Sequence, residues 1–195
     1  MTDRIKHINT YILAGGKSSR MGCDKGLILF KGKPLIERII EELQSLFEKV
    51  FIVSNNEEYK NFGLEVIEDL IKDCGPAGGI HAALRHSQTQ SIFVTSCDMP
   101  FISAAAAGFI ISQSKNSQIT LPVFDERIHP LFGVYSRSCL PLWKQLIDLK
   151  MVKLQQMITH FDLSKIIVDY EPLFNEVMFM NVNDKNDLNK ALQQL

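Results

Sequence analysis

The segment Leu13-Ala14-Gly15-Gly16-Lys17-Ser18-Ser19-Arg20-Met21-Gly22-Cys23-Asp24-Lys25 gathers residue types suited to holding a chain of phosphates. Gly15 and Gly16 permit backbone geometry that other residues avoid, and they keep side chains out of a ligand's path. Successive main-chain N–H groups can then converge on phosphate oxygens as an anion nest. Ser18 and Ser19 add hydroxyl donors. Arg20 and Lys25 add positive charge, the planar guanidinium being suited to bidentate contact. The order differs from the G-x-x-x-x-G-K-[ST] phosphate loop, because Gly26 follows Lys25, and from the G-x-G-x-x-G dinucleotide turn. A second centre of chemistry is Asp98, which ends the apolar run Ile92-Phe93-Val94-Thr95-Ser96-Cys97 just before Pro100. A carboxylate there can hold Mg²⁺, a hard cation that takes one or two carboxylates together with phosphate oxygens and waters. An aspartate at a strand end also serves as a cap or turn residue, and residue types alone leave both roles open.

Three further segments carry polar groups that could face the same ligand. Asn55 follows the run Val50–Ser54, and Asp69 follows Leu64–Ile67. Asn offers a donor and an acceptor to a base edge, and Asp accepts from purine imino or amino groups. Both are also ordinary turn formers. Cys74-Gly75-Pro76-Ala77-Gly78-Gly79 is a second glycine-rich turn that enters a helix, whose first N–H groups could face an anion. His81, within that helix, is expected on its surface, and His129 carries no assigned role. Asn181 and Asn183 near the C-terminus are further candidates, although Asn183 also suits a helix cap.

These residues need elements to position them, and the hydrophobic pattern supplies them. Apolar runs rich in β-branched residues predict strands at Ile8–Leu13, Val50–Ser54, Leu64–Ile67, Ile92–Ser96, Ile119–Val123, Leu131–Tyr135 and Lys165–Val168. Leu35, Ile36, Ile39, Ile40, Leu43, Leu46 and Phe47 form one helical stripe after Pro34, with Glu37, Glu41, Glu42 and Glu48 left to solvent. Further helices are expected after Pro76, after Ser103 as N-cap, between Leu140 and His160, and after Asn183 or Asp184. Alternation of strand and helix implies an α/β fold, a three-layer α/β/α sandwich around a mainly parallel, Rossmann-like sheet, in one domain spanning 1–195. In such sheets ligands collect beyond the carboxyl ends of the strands, where the first loop and Asp98 both emerge if their strands run parallel.

Composition narrows the partners. The 21 basic and 22 acidic residues are well mixed and leave a net charge of -1, so no general attraction to nucleic acid or to an anionic membrane is expected. Cys23, Cys74, Cys97 and Cys139 form no C-x-x-C pair and read as reduced thiols. The first residues contain no stretch of signal-peptide type, and the longest mostly apolar run, Met99 to Ile111, is too short to span a bilayer. A cytoplasmic monomer is the expectation.

The first loop resembles the nucleotidyltransferase signature L-A-[AG]-G-x-[SG]-x-R-M-G, and its L-A-G-G start with a D-K ending resembles the molybdenum cofactor guanylyltransferases in particular. Isoprenoid-pathway cytidylyltransferases carry L-A-A-G with P-K. The resemblance continues in Cys97-Asp98-Met99-Pro100-Phe101, Gly75-Pro76-Ala77-Gly78-Gly79, His129-Pro130-Leu131-Phe132-Gly133-Val134-Tyr135 and Met180-Asn181-Val182-Asn183. It departs at Lys185, where the family commonly has proline. It implies that Leu13, Ala14, Gly15, Gly16, Ser18 and Lys25 hold the triphosphate of GTP and that Asp98 binds Mg²⁺. It further implies that Asn55, Asp69 and Gly78 lie at the base and ribose, and that Asn181 and Asn183 belong to the active site. Arg20 and Lys25 would stabilise departing pyrophosphate, with Asp98 as the third catalytic residue. The implied reaction moves GMP from GTP to molybdenum-bearing molybdopterin, with cofactor-delivery proteins and recipient molybdoenzymes as partners. Other readings are a related cytidylyl- or sugar-nucleotidyltransferase and a non-catalytic nucleotide-binding regulator. A glycosyltransferase-like domain would carry D-x-D at the strand end, and Cys97-Asp98-Met99 lacks the first aspartate.

Overall fold

The strand Ile8–Leu13 (β1) is buried along its whole length, as a run without polar alternation requires when both faces of a sheet are covered. The structure, a computed structural model, describes residues 4–15 and 24–194. The strands that follow are β2 (Leu29–Phe30), β3 (Lys33–Pro34), β4 (Val50–Val53), β5 (Val66–Ile67), β6 (Ser91–Ser96), β7 (Ile119–Phe124), β8 (Arg127–Ile128), β9 (Phe132–Ser136) and β10 (Leu163–Ile167). The helices are α1 (Leu35–Leu46), α2 (Pro76–His86), α3 (Ala104–Gln113), α4 (Leu140–Asp148), α5 (Leu154–Met157) and α6 (Lys185–Leu192). Eight strands form one sheet in the order β10-β7-β9-β6-β1-β4-β5, with β8 paired to β7; β2 and β3 make a separate hairpin.

Successive side chains of β1 leave on opposite faces, and each face has its own core. Ile8 and Ile12 pack with Ile36, Ile39, Ile40 and Leu43 of α1 and with Ala106 and Ile110 of α3. Tyr11 and Leu13 pack with Ile80, Ala83 and Leu84 of α2 and with Trp143, Leu146 and Ile147 of α4. The three layers expected from strand–helix alternation are therefore present. Trp143 Nε1 donates to the Ala77 carbonyl at 2.9 Å, which ties α4 to the first turn of α2. Among the described residues no helix is long and apolar enough to cross a membrane.

The sheet departs from pure parallel pairing at β9, which runs antiparallel to both β6 and β7. Its entry explains this. Asp125 and Glu126, with φ of 48° and 61°, form a two-residue turn between Phe124 and Arg127, so β7 folds back as β8 without a crossover helix. At the joint, a Cβ on Gly133 would lie 2.6 Å from the Thr120 carbonyl oxygen, so only glycine lets β9 approach β7 this closely. Two expectations about helices are corrected. Glu42 is not left to solvent: its carboxylate accepts from the Ala104 N–H at 3.0 Å, the first free donor of α3. His81 is buried rather than on a helix surface, because α2 lies between the sheet and α4 and is covered from Ala77 to Leu84. Ser103 caps α3 and Asp184 caps α6, as their types suggest.

Candidate nucleotide and metal site

β1 and β6 are parallel neighbours, with Leu13 opposite Ser96, so the glycine-rich loop and Asp98 leave the sheet at one edge. Backbone bonds lock the two exits together. Cys97 N–H donates to the Leu13 carbonyl at 3.0 Å, and Ala14 N–H donates to Val53 at 2.9 Å. Gly15 then turns with a φ of 143°, which a side chain would oppose. Gly16, Ser18 and Arg20, all assigned from sequence to the loop's phosphate contacts, lie outside the described residues.

The far end of the loop brings three candidate residues together. Lys25 Nζ donates to Asp98 Oδ2 at 3.3 Å and to Asn183 Oδ1, so a carboxylate and an amide oxygen converge on one ammonium. Ser96 Oγ donates to Asp98 Oδ1 at 2.6 Å and fixes the carboxylate's rotation. The Asp98 side chain is only 13% exposed, which strengthens its pairing with Lys25 relative to a surface bridge. Arg38 secures the turn beyond it, donating from Nε to the Pro100 carbonyl at 2.7 Å while its guanidinium lies over the Phe101 ring.

Asn183 reaches Lys25 because the C-terminal segment is docked on this edge. Val182 N–H donates to the Asp98 carbonyl at 2.9 Å. Val182 and Ala191 are buried against Ile28, Phe30 and Leu35 in a third apolar cluster. Asn183 N–H donates in turn to Asp187 Oδ2 at 3.0 Å, within α6. Asn181 is exposed, and among the described residues the Lys25 ammonium is shared by Asp98 and Asn183 without it.

A cavity of about 890 Å³ opens beside this cluster, lined among others by Leu13, Ala14, Gly15, Asn55, Asp69 and Ser96. Asn55 Oδ1 accepts from the Asp69 N–H at 2.9 Å, which joins the ends of β4 and β5 across the cavity wall. Asp69 Oδ1 accepts from the Ile71 N–H at 3.1 Å. Its other oxygen lies against Gly78, where a Cβ would come within 2.5 Å. The glycine therefore makes room for the carboxylate at the start of α2. Burial raises the Asp69 pKa above the usual carboxylate value, with the Ile71 N–H and His81 opposing the shift.

Next to Lys25, Asp24 was read from sequence only as part of the D-K ending, and its partner Tyr59 was not singled out. Asp24 accepts from the Tyr59 hydroxyl and, at 3.3 Å, from the Gly26 N–H. Tyr59 is fully buried, and burial pushes its phenol well above the ordinary value, reinforced by Cys97 and Asp24, so it stays a donor. Burial likewise pushes the Cys97 thiol up to about 12. Tyr59 follows Glu57-Glu58 and precedes Lys60, and nothing in that polar context marks it as a core residue. His129 stacks on Phe179 with ring centroids 3.8 Å apart, a packing role.

A mainly parallel sheet with a glycine turn, a lysine, a strand-end aspartate and a nucleotide-sized cavity on one edge is the architecture of a nucleotidyltransferase. Residues 10–163 match the MobA-like NTP transferase domain, and the chain belongs to that family. It is 36% identical over 183 residues to a protein of Flavobacterium johnsoniae named probable molybdenum cofactor guanylyltransferase, covering 93% of this chain and 96% of that one. A protein of the same name from Clostridium perfringens is 37% identical over 194 residues, covering 94% and 95%. Among solved structures, molybdopterin-guanine dinucleotide biosynthesis protein A from Archaeoglobus fulgidus superposes with a TM-score of 0.83 at 26% identity, covering 97% of this chain and 98% of that one. The 2-C-methyl-D-erythritol 4-phosphate cytidylyltransferase of Thermus thermophilus, at 12% identity and a TM-score of 0.73 over 96% and 98% of the two chains, shares the fold.

Proposed function

We propose that this protein transfers GMP from GTP to molybdopterin carrying molybdenum, releasing pyrophosphate, with Mg²⁺ held beside Asp98. The observation that carries the reading is the meeting of Lys25, Asp98 and Asn183, drawn from three distant segments, next to a cavity that Asp24 and Ser96 help to line. The names of the relatives in Flavobacterium johnsoniae and Clostridium perfringens support the choice of base and acceptor.

The donor set fits Mg²⁺. Asp98 Oδ2 and Asn183 Oδ1 are hard oxygens that already converge on a cation, the Lys25 ammonium. Among the described residues no three His, Cys, Asp or Glu side chains form a self-sufficient metal cage, which suits an ion that takes its remaining ligands from phosphates and water. Held by Asp98 and Asn183, Mg²⁺ would supply positive charge that offsets the triphosphate's negative charge. The chain's own residues bind and orient. Lys25 moves onto the phosphates and, with Arg20, stabilises the leaving pyrophosphate. Asp69 accepts hydrogen bonds from the guanine imino and amino groups, and Asn55 holds the Asp69 backbone in place. An oxygen of the acceptor's phosphate forms a bond to the α-phosphorus as the bond from that phosphorus to the pyrophosphate oxygen breaks. The attacking phosphate is already ionised, so no general base is needed, and rate comes from positioning and electrostatics. The reading includes a monomeric, cytoplasmic single-domain enzyme, supplied by cofactor-delivery proteins and serving recipient molybdoenzymes.

The test is pyrophosphate release in the presence of Mg²⁺, molybdenum-bearing molybdopterin and each of the four nucleoside triphosphates in turn. Release with GTP and little with CTP, ATP or UTP is expected. Preference for CTP would remove guanylyl transfer while leaving nucleotidyl transfer in place.

A further inference from the structure

The exit of the glycine-rich loop is held from below by a residue outside the signature. Tyr59 sits in the turn Glu57–Phe62 that follows β4, and its ring is fully buried. Its hydroxyl donates to Asp24 Oδ1, an oxygen that also accepts from the Gly26 N–H. One carboxylate thus fastens the start of the turn Lys25–Leu27 both to its own backbone and to the core. Gly26 closes the arrangement. A Cβ there would lie 2.5 Å from the Tyr59 hydroxyl oxygen and 3.2 Å from Cys97, so this stretch rests directly on the two side chains. Lys25 lies between Asp24 and Gly26, and its ammonium reaches Asp98 and Asn183 from that fixed base.

We propose that Tyr59 is a positioning residue for the transfer reaction: through Asp24, its hydroxyl holds the loop exit so that Lys25 meets the triphosphate. This rests on the reading of the loop as a triphosphate site. A hydrogen bond to an ionised carboxylate is among the stronger kinds, and removing its donor leaves Asp24 short of a partner in a half-buried place. The nucleotide must then order the loop exit itself, and that entropy is charged to binding.

The experiment compares Tyr59→Phe, Asp24→Ala, the double variant and Lys25→Ala in Mg²⁺–GTP calorimetry and in steady-state transfer. Tyr59→Phe keeps the ring in the core and removes the hydroxyl alone. It is expected to weaken GTP binding about tenfold, the scale of a lost charge-assisted hydrogen bond, with the loss appearing in KM rather than in kcat. The double variant is expected to bind no worse than Asp24→Ala, because the two groups act as one link. In the nucleotide-free protein, hydrogen exchange at the Gly26 amide should accelerate in Tyr59→Phe while the β6 amides keep their protection. The positioning role is overturned by unchanged GTP affinity in Tyr59→Phe, by additive losses in the double variant, or by equal acceleration throughout β6. Lys25→Ala separates the two readings. If it weakens GTP while Tyr59→Phe does not, the positioning role alone is lost; if it leaves GTP untouched, the triphosphate site is lost.

Discussion

Lys25 is the residue on which three segments of the chain agree, and its surroundings set what its removal should do. The ammonium bridges Asp98 and Asn183 and owes its place to the short turn held by Asp24. On the proposed reading, replacing it with alanine removes a positive charge that faces the triphosphate and leaves the apolar core intact. Lys25→Ala is therefore expected to weaken GTP binding by about tenfold to a hundredfold, the range for a charge-assisted contact, with guanosine binding unchanged. Calorimetry with the two ligands checks this, and an equal loss for guanosine would point to damage beyond the phosphates. Lys25 and Asp98 were legible in sequence because each sits in a motif whose residue types already suggest the chemistry, and Asn183 only through the family resemblance. Asp24 was legible only as part of a motif, and its buried partner Tyr59 was not. A hydroxyl acting from thirty-five residues away, in the bond between Tyr59 and Asp24, leaves no local pattern to read.

Among the elements, α2 carries two consequences of its burial. Its first turn accommodates the Asp69 carboxylate only because Gly78 lacks a side chain. Gly78→Ala should push that carboxylate away and erode the preference for GTP over ATP, measured as the ratio of kcat/KM values; an unchanged ratio would mean that Asp69 does not read the base. Further along the helix, burial lowers the His81 pKa, helped by Lys144 and Arg85 and opposed by Asp69 and Asp148. A base with a depressed folded pKa resists protonation in the native state. Its contribution to stability is complete above the unfolded value of about 6.5 and declines as the pH falls below it. Urea denaturation across that range should show His81→Gln losing less stability on acidification than the parent protein. His129, also lowered mainly by burial, should leave a residual slope. The long strands and helices were readable from sequence because apolar runs and helical stripes dominate them. The hairpin of β2 and β3, the return strand β8 and the reversal of β9 were not. Each is two residues long or depends on a turn of Asp125 and Glu126 whose positive φ values no Asn-Gly signal announces.

At the scale of the whole molecule, the sheet edge and the C-terminal segment form one working unit. The third apolar cluster presses Val182 and Ala191 onto Ile28, Phe30 and Leu35, so the last helix helps to build a site whose loop begins at the first strand. The parallel pairing of β1 with β6 brings the glycine loop and Asp98 to one edge of the sheet, as the strand pattern led one to expect. The docking of Asn183 onto Lys25 could not be read in advance, because it depends on how the chain returns after β10. The most direct test of nucleotidyl transfer follows the fate of individual phosphates. The protein is incubated with Mg²⁺, molybdenum-bearing molybdopterin and GTP labelled at either the α or the γ phosphorus. The expected result is α label in the pterin product and γ label only in pyrophosphate. Label from the γ position in the product, or no transfer from either position while the nucleotide still binds, would contradict it.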